Sequence, residues 1–346
     1  MNSPSDSKIT SRATIADVAE RAGVSTATVS RVINQTGPVA EETAAQVWAA
    51  VSELKYQPNA AAKGLASRKT NTLGLLVREI STPFFTPLFR GIEAGTSEAG
   101  YSLLIHAIQK AASPAITPIH RPLGEHNTDG LLVFASSMGE TDLVDLHKRD
   151  FPLVLLHQAP PDGLNIPYVT FENKSGARKL VDHLIEVHNY RRIAFLQGPE
   201  DQEDSYWREL GYREALEAHG IPFDPALVAV GGFEEKMAEI SVGKWLAAGT
   251  RIDAIFAGDD ESAVGTIIAL QQAGKRVPED IAVVGFDDVH FYRYMLPPLT
   301  TVRAPVEQAG REAARQLIQL IRTGQADPLT LLPTELVVRH SCGCSN

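Results

Sequence analysis

Four side chains near the amino terminus carry the means to read the edge of a DNA base pair. Thr26, Ala27, Ser30 and Arg31 lie on the polar face of a predicted helix from Thr26 to Asn34, whose apolar stripe of Val29, Val32 and Ile33 faces the other way. A guanidinium fork bonds guanine bidentately, and the methyl of Thr or Ala packs on that of thymine. The same spacing also fits a three-helix bundle whose polar face is only solvated, and periodicity does not choose between them. Leu65, flanked by Lys63, Arg68 and Lys69, has the make-up of an apolar wedge for the minor groove; a flexible linker is the alternative. The only thiols are Cys342 and Cys344. A lone Cys-x-Cys supplies two ligands where a structural zinc takes about four, so the pair is expected as reduced thiols on a frayed end. Asp287-Asp288 lacks a third ligand, and no metal or cofactor is expected.

The elements that position these groups are short. Thr14-Ile15-Ala16-Asp17 has the form of a capping box, followed by Ile15, Val18, Ala19 and Ala22 at helical spacing. Gly23 suits a left-handed C-cap, and Ser25 suits the N-cap of the helix that starts at Thr26. Gly37-Pro38 breaks the chain before a third helix over about 41–54. Two helices joined by a glycine turn and braced by a third predict a helix-turn-helix. After Pro58, Asn59 can cap a short helix; Gly64 weakens it by about 1 kcal/mol, so it is expected to form only when something packs on it.

This order of residues, Thr14-Ile15-Ala16-Asp17-Val18-Ala19, Gly23-Val24-Ser25, Thr28-Val29-Ser30-Arg31-Val32-Ile33-Asn34 and Tyr56-Gln57-Pro58-Asn59, closely resembles the head of LacI/GalR repressors. The resemblance implies DNA contacts from Thr14, Ser25, Thr26, Ala27, Thr28, Ser30, Arg31 and Asn34, and from Asn59, Ala62 and Leu65 in the hinge. Thr26 and Ala27 stand where the family selects operator bases. Leu65 stands where it wedges the central minor-groove step.

From Leu73 onward, short apolar runs alternate with amphipathic stretches, which predicts parallel sheets with helices on both faces. The expected architecture is an all-α helix-turn-helix head plus an α/β core of two doubly wound subdomains. This core resembles the periplasmic-binding-protein-like core of the same family. The expected boundaries are 1–56 for the head, 57–70 for the hinge, 71–168 plus 300–325 for the first subdomain, and 169–299 plus 326–346 for the second. Thr82-Pro83-Phe84-Phe85, Gly211-Tyr212-Arg213-Glu214, Val283-Val284-Gly285-Phe286-Asp287-Asp288 and Pro297-Pro298-Leu299-Thr300 look like family landmarks. The stretch 108–127 departs from the family's helix: it holds Pro114, Pro118, Pro122 and Gly124, which an unbroken helix would not tolerate.

In the family, an effector binds between the subdomains. The resemblance implies contacts from Phe85, His106, His157, Phe171, Arg208, Phe233, Asp259 and Asp287. Asp259 is assigned as ligand and Asp260 as cap of the following helix. Acids, aromatics and one arginine suit a sugar, although His157 stands where an acid is common.

Composition narrows the classes. The 346 residues are 44% hydrophobic and 21% charged, with net charge −10. Residues 1–70 hold eight basic and six acidic residues, so a mildly basic head precedes an acidic body, suiting contact with phosphate through the head alone. The start has no apolar signal and no run is long enough to span a bilayer, so a cytoplasmic protein without a membrane partner is expected. No Gly-x-Gly-x-x-Gly after the first strand, Walker lysine or Gly-x-Ser-x-Gly elbow appears, so an enzyme is not expected. The expected function is a transcriptional repressor on a palindromic operator, and hence a homodimer, controlled by a small molecule, a sugar by its pocket. The tail after Arg339 has no leucine heptad, so no tail-mediated tetramer is expected.

Overall fold

The computed structural model describes residues 13–57, 69–108 and 122–345. The chain falls into two compact units divided between Thr70 and Asn71. The hinge positions Asn59, Ala62 and Leu65 lie outside the described residues, as do 109–121 of the proline-rich stretch.

The first unit contains α1 (Ile15–Ala22), α2 (Thr26–Asn34) and α3 (Glu41–Glu53). Thr14 and Asp17 form the reciprocal capping box, and Gly23 closes α1 at φ 66°. The Ser25 hydroxyl accepts the Thr28 N–H at 3.2 Å and starts α2. Val18, Ala19, Val29, Val32, Val47 and Ala50 pack as one small core. An exposed ion pair, Arg21 to Glu53 at 2.6 Å, ties α1 to the end of α3.

The second unit is built on two parallel sheets. The first sheet has six strands: β1 (Thr72–Val77), β2 (Ser102–Ala107), β3 (Gly130–Phe134), β4 (Leu153–Leu156), β5 (Tyr168–Phe171) and β11 (Leu329–Leu332), in the order β11-β5-β4-β3-β1-β2. The second sheet has β6 (Ile193–Gln197), β7 (Val228–Val230), β8 (Ala254–Ala257) and β9 (Ala282–Val284), in the order β7-β6-β8-β9. Strands buried on both faces, such as β3 and β4, read as continuous apolar runs because helices cover both sides. The helices are α4 (Phe85–Glu98), α5 (Glu140–Lys148), α6 (Asn173–His188), α7 (Glu203–Ala218), α8 (Glu235–Ala247), α9 (Asp260–Gln272) and α10 (Val306–Thr323). Two short antiparallel strands, β10 (Thr301–Arg303) and β12 (Glu335–Val337), pair between the chain's last passages.

Two expectations need correction. The first subdomain does not end at 168 and 325: β5 and β11 both belong to its sheet, pairing Tyr168 with Leu329 and Phe171 with Leu332. The crossover through α10 returns the chain to the first sheet, and β11 completes its edge. The carboxyl tail also does not fray. Ser341 and Cys342 are fully buried; the Ser341 carbonyl accepts the Val283 N–H at 3.0 Å, and its hydroxyl accepts the Thr300 N–H at 2.8 Å.

Candidate functional site

The exposed face of α2 carries the residues expected to meet base edges. Thr26, Ala27 and Arg31 are exposed, and Thr28, Ser30 and Asn34 half-buried. Part of the set is already engaged within the module. Thr14 and Ser25 act as caps, Ser25 Oγ lies 2.9 Å from Thr28 Oγ1, and the Asn34 side chain donates to Ser30 Oγ at 3.2 Å.

The second site is a cavity of about 440 Å³ between the two sheets of the core. Five expected residues line it: Phe85, Arg208, Phe233, Asp259 and Asp287. Arg208 is its centre. This guanidinium is 2% exposed and lies 3.8 Å from the centroid of the Phe286 ring. Its Nε donates to Asn173 Oδ1 at 2.9 Å, one Nη to the Gly258 carbonyl at 2.7 Å, and the other to Asp287 Oδ1 at 3.0 Å. Three of its five N–H groups are thereby used and two are not, and one Nη also lies 3.9 Å from Asp204 Oδ2. Asp287 holds φ 110°, Asp288 φ 53° and Phe233 φ 58°, conformations that cost a non-glycine residue of order 1–3 kcal/mol and persist where the surroundings over-determine them.

Burial pushes the Asp259 carboxyl up to about 6 and the Asp287 carboxyl up to about 7, against the pull of Arg208. Asp260 is raised well above its ordinary value by burial and by the neighbouring Asp287. Burial acts on Asp204 too, yet His157, Arg208 and Asn173 outweigh it and hold that carboxyl low.

The assignments of Asp259 and Asp260 reverse in part. Asp259 is the N-cap of α9, accepting the Ser262 N–H at 2.9 Å, and lines the cavity as well. Asp260 also lines the cavity; it accepts the Thr301 hydroxyl at 2.6 Å and the Val289 N–H at 2.9 Å. Arg293, Arg303 and Arg339 hold the Asp288 carboxylate at 2.6–3.0 Å.

Three expected contacts stand outside the lining. His157 is 1% exposed, with Nδ1 2.7 Å from Asp204 Oδ2 and its ring packed on Phe84, Phe134 and Phe171. It supports the Asp204–Asn173–Arg208 chain from behind. Phe171 is core, its ring 4.5 Å from that of His157. His106 lies on the edge strand β2, opposite Leu76. The lining also includes groups that sequence reasoning missed: Arg78, Glu79, Phe84, Phe134, Glu261 and Tyr292. Tyr292 donates to Glu261. Thr82-Pro83-Phe84-Phe85 was the available signal for Phe84; the others carry no motif.

Known proteins match this chain along nearly its whole length. Residues 14–59 match the model of bacterial regulatory proteins of the lacI family, and residues 181–342 match a periplasmic binding protein-like domain. The HTH-type transcriptional repressor PurR of Aliivibrio salmonicida is 35% identical over 311 residues, covering 90% of this chain and 92% of its own length. A solved complex of the transcriptional regulator CelR with cellobiose superposes with a TM-score of 0.68 at 33% identity, over 95% of this chain and all of CelR. The lac repressor dimer bound to operator and the anti-inducer ONPF gives a TM-score of 0.82 at 28% identity, over 95% of this chain and 99% of that one. With a helix-turn-helix on one side of residue 70, a two-sheet core around a buried arginine on the other, and relatives matched along nearly its whole length, the chain belongs to the lacI family of bacterial regulatory proteins.

Proposed function

We propose that this DNA-binding transcriptional regulator acts as a repressor whose grip on a palindromic operator is set by a neutral sugar held around Arg208. The observation that carries the ligand class is the charge of the cavity. Seven carboxylic side chains line it against two arginines, so an anionic ligand such as a sugar phosphate is disfavoured. Carboxylates accept hydrogen bonds from hydroxyls, the two spare N–H groups of Arg208 donate to them, and Phe233 offers a flat apolar face. A volume of about 440 Å³ suits a small ligand. The complex of CelR with cellobiose supports the same class. Asp259, Asp287, Arg208 and Phe233 are the proposed contacts, with Phe85 closing the apolar side.

On DNA, we assign Thr26, Ala27 and Arg31 to base edges and Leu65 to the minor groove. A palindrome calls for two copies. Phe291, Tyr294 and Leu296 form an exposed apolar group, each more than 70% accessible, that suits a self-complementary face; the lac repressor is a dimer on its operator. Among the described residues no helix is long and apolar enough to cross a membrane, and we read a regulator of transcription as a cytoplasmic protein. We read the cavity as a binding rather than a catalytic site, because the relatives above are transcriptional regulators.

The test is a thermal-shift screen of the full chain against neutral mono- and disaccharides, sugar phosphates and nucleobases. A ligand at a hundred times its Kd stabilises the native state by about 2.7 kcal/mol. Neutral sugars should shift the transition. A response confined to nucleobases or phosphates would reject the ligand class while leaving the DNA role standing. The DNA role is tested by anisotropy on a palindromic duplex, where affinity must fall steeply with salt.

A further inference from the structure

The tail that sequence reasoning left to fray carries two cysteines into contact with two histidines. His183 and His188 lie at the carboxyl-terminal end of α6, and Cys342 and Cys344 lie on the buried tail beside them. One nitrogen or sulfur from each of the four falls within 4.8 Å of all the others. Cys344 Sγ is 3.7 Å from His183 Nε2 and 3.4 Å from His188 Nε2. Around a tetrahedral zinc, with Zn–S about 2.3 Å and Zn–N about 2.0–2.1 Å, sulfur and nitrogen donors stand about 3.6 Å apart. We propose that His183, His188, Cys342 and Cys344 form a structural site for one zinc ion, which pins the carboxyl tail to α6.

The surroundings favour that arrangement. Gly343 between the cysteines holds φ 104°, and a Cβ there would lie 3.1 Å from the Tyr190 hydroxyl and 3.3 Å from the His188 ring, so the Cys-Gly-Cys turn needs glycine. The Tyr190 hydroxyl donates to the Cys342 carbonyl at 3.2 Å, and its ring stacks on His188. Thr300 accepts the Arg339 N–H at 2.8 Å and donates its own proton to Cys342 Sγ at 3.2 Å, the hydrogen bond a buried thiolate ligand needs. On binding, each thiol releases one proton to solvent and gives a sulfur lone pair to the metal, while both imidazoles bind neutral. Two thiolates then balance the dication, leaving a site without net charge at a place where Cys342 is fully buried. The proposal stands apart from the effector reading: it uses none of the cavity residues.

The experiment uses the reduced, tag-free full chain. Zinc is titrated against a chromophoric chelator, and cobalt(II) serves as spectroscopic probe. We expect one ion per chain, a cobalt spectrum with thiolate charge-transfer and tetrahedral ligand-field bands, and slower alkylation of Cys344 with zinc than after chelation. Zinc should also raise Tm. Cys344→Ser and His188→Asn, changes at positions only half-buried, should each abolish stoichiometric binding and the Tm shift while operator binding is retained. Binding unaffected by both substitutions, an octahedral cobalt spectrum, a Cys342–Cys344 disulfide in the reduced protein, or no binding at all would overturn the site.

Discussion

Arg208 is a buried charge whose partners include the ionisable Asp287, so its removal should be felt twice. Arg208→Ala takes away the proposed sugar donor and leaves Asp287 buried beside Asp259 without a cation. Breaking such a pair costs about 3–5 kcal/mol, and the effector response should vanish in anisotropy assays while operator binding in its absence persists. The loss should depend on pH. Asp287 is already raised to about 7 with Arg208 present, so its penalty in the native protein grows as pH rises from the ordinary carboxylate range and levels off above 7. Without the guanidinium the value climbs further, and the penalty keeps growing above 7. Denaturant melts of the variant should therefore show a larger deficit at pH 8 than at pH 6. With Arg208 in place, Asp287→Asn should remove part of the stability decline between pH 5 and 7; Asp204, held low, titrates below that window, and Asp259, raised to about 6, contributes to the decline that remains. An equal decline in both proteins would remove Asp287 from this role. Arg208 and Asp287 were legible because motif neighbours mark their places, and Phe233 only through the family resemblance. His157 was not: a strand end predicts a position, but nothing local says that Asp204, 47 residues later, takes its Nδ1. Asp259 and Asp260 both look like caps in sequence, and only the packing of Thr301 and Val289 decides between them.

At the scale of elements, the cavity depends on backbone that lets side chains approach. Gly198 follows β6, and a Cβ there would meet the Phe233 ring at 2.2 Å. Gly198→Ala should displace that ring and weaken effector binding roughly fivefold, about 1 kcal/mol for an aromatic contact, with the operator affinity of the effector-free protein unchanged. Calorimetry on the effector checks it; an unchanged Kd would mean the ring does not touch the ligand. In the head, Ser25→Ala removes the only side-chain cap of α2 and should cost about 1 kcal/mol of head stability, read as earlier melting of that unit. Long amphipathic elements such as α6 and α10 were legible because their apolar spacing repeats over many turns. Three-residue strands such as β7, β10 and β12 were not, because their existence rests on partners distant in the chain: β10 forms only where β12 returns to meet it. The same limit hid the tail, whose two cysteines look isolated until α6 is placed beside them.

For the molecule as a whole, regulation requires the effector to prefer one arrangement of the core's two lobes. Two contacts between the lobes mark the arrangement described: Arg78 pairs with Asp201 at 2.6 Å, and Ser136 Oγ donates to the Asp201 carbonyl at 2.6 Å. The ion pair is partly exposed and so worth no more than about 1 kcal/mol, but a two-state equilibrium responds to that amount: Arg78→Ala should shift the effector midpoint by up to roughly fivefold, with the maximal response preserved. Coupling between effector and operator is then a free energy shared by both sites. Typical couplings of about 1–3 kcal/mol change affinity roughly 5- to 150-fold, and linkage demands that operator DNA change effector affinity by the same factor as effector changes operator affinity. Arg31→Ala supplies the control. If Arg31 bonds a guanine, its loss should cost about 1–3 kcal/mol of operator binding and relax specificity at one base pair, while effector affinity in the absence of DNA stays the same. Calorimetric effector titrations of both proteins, with and without duplex at concentrations that saturate only the unsubstituted chain, should show the DNA-dependent shift in that chain alone. An equal shift in both would mean that the effector does not communicate through the face of α2.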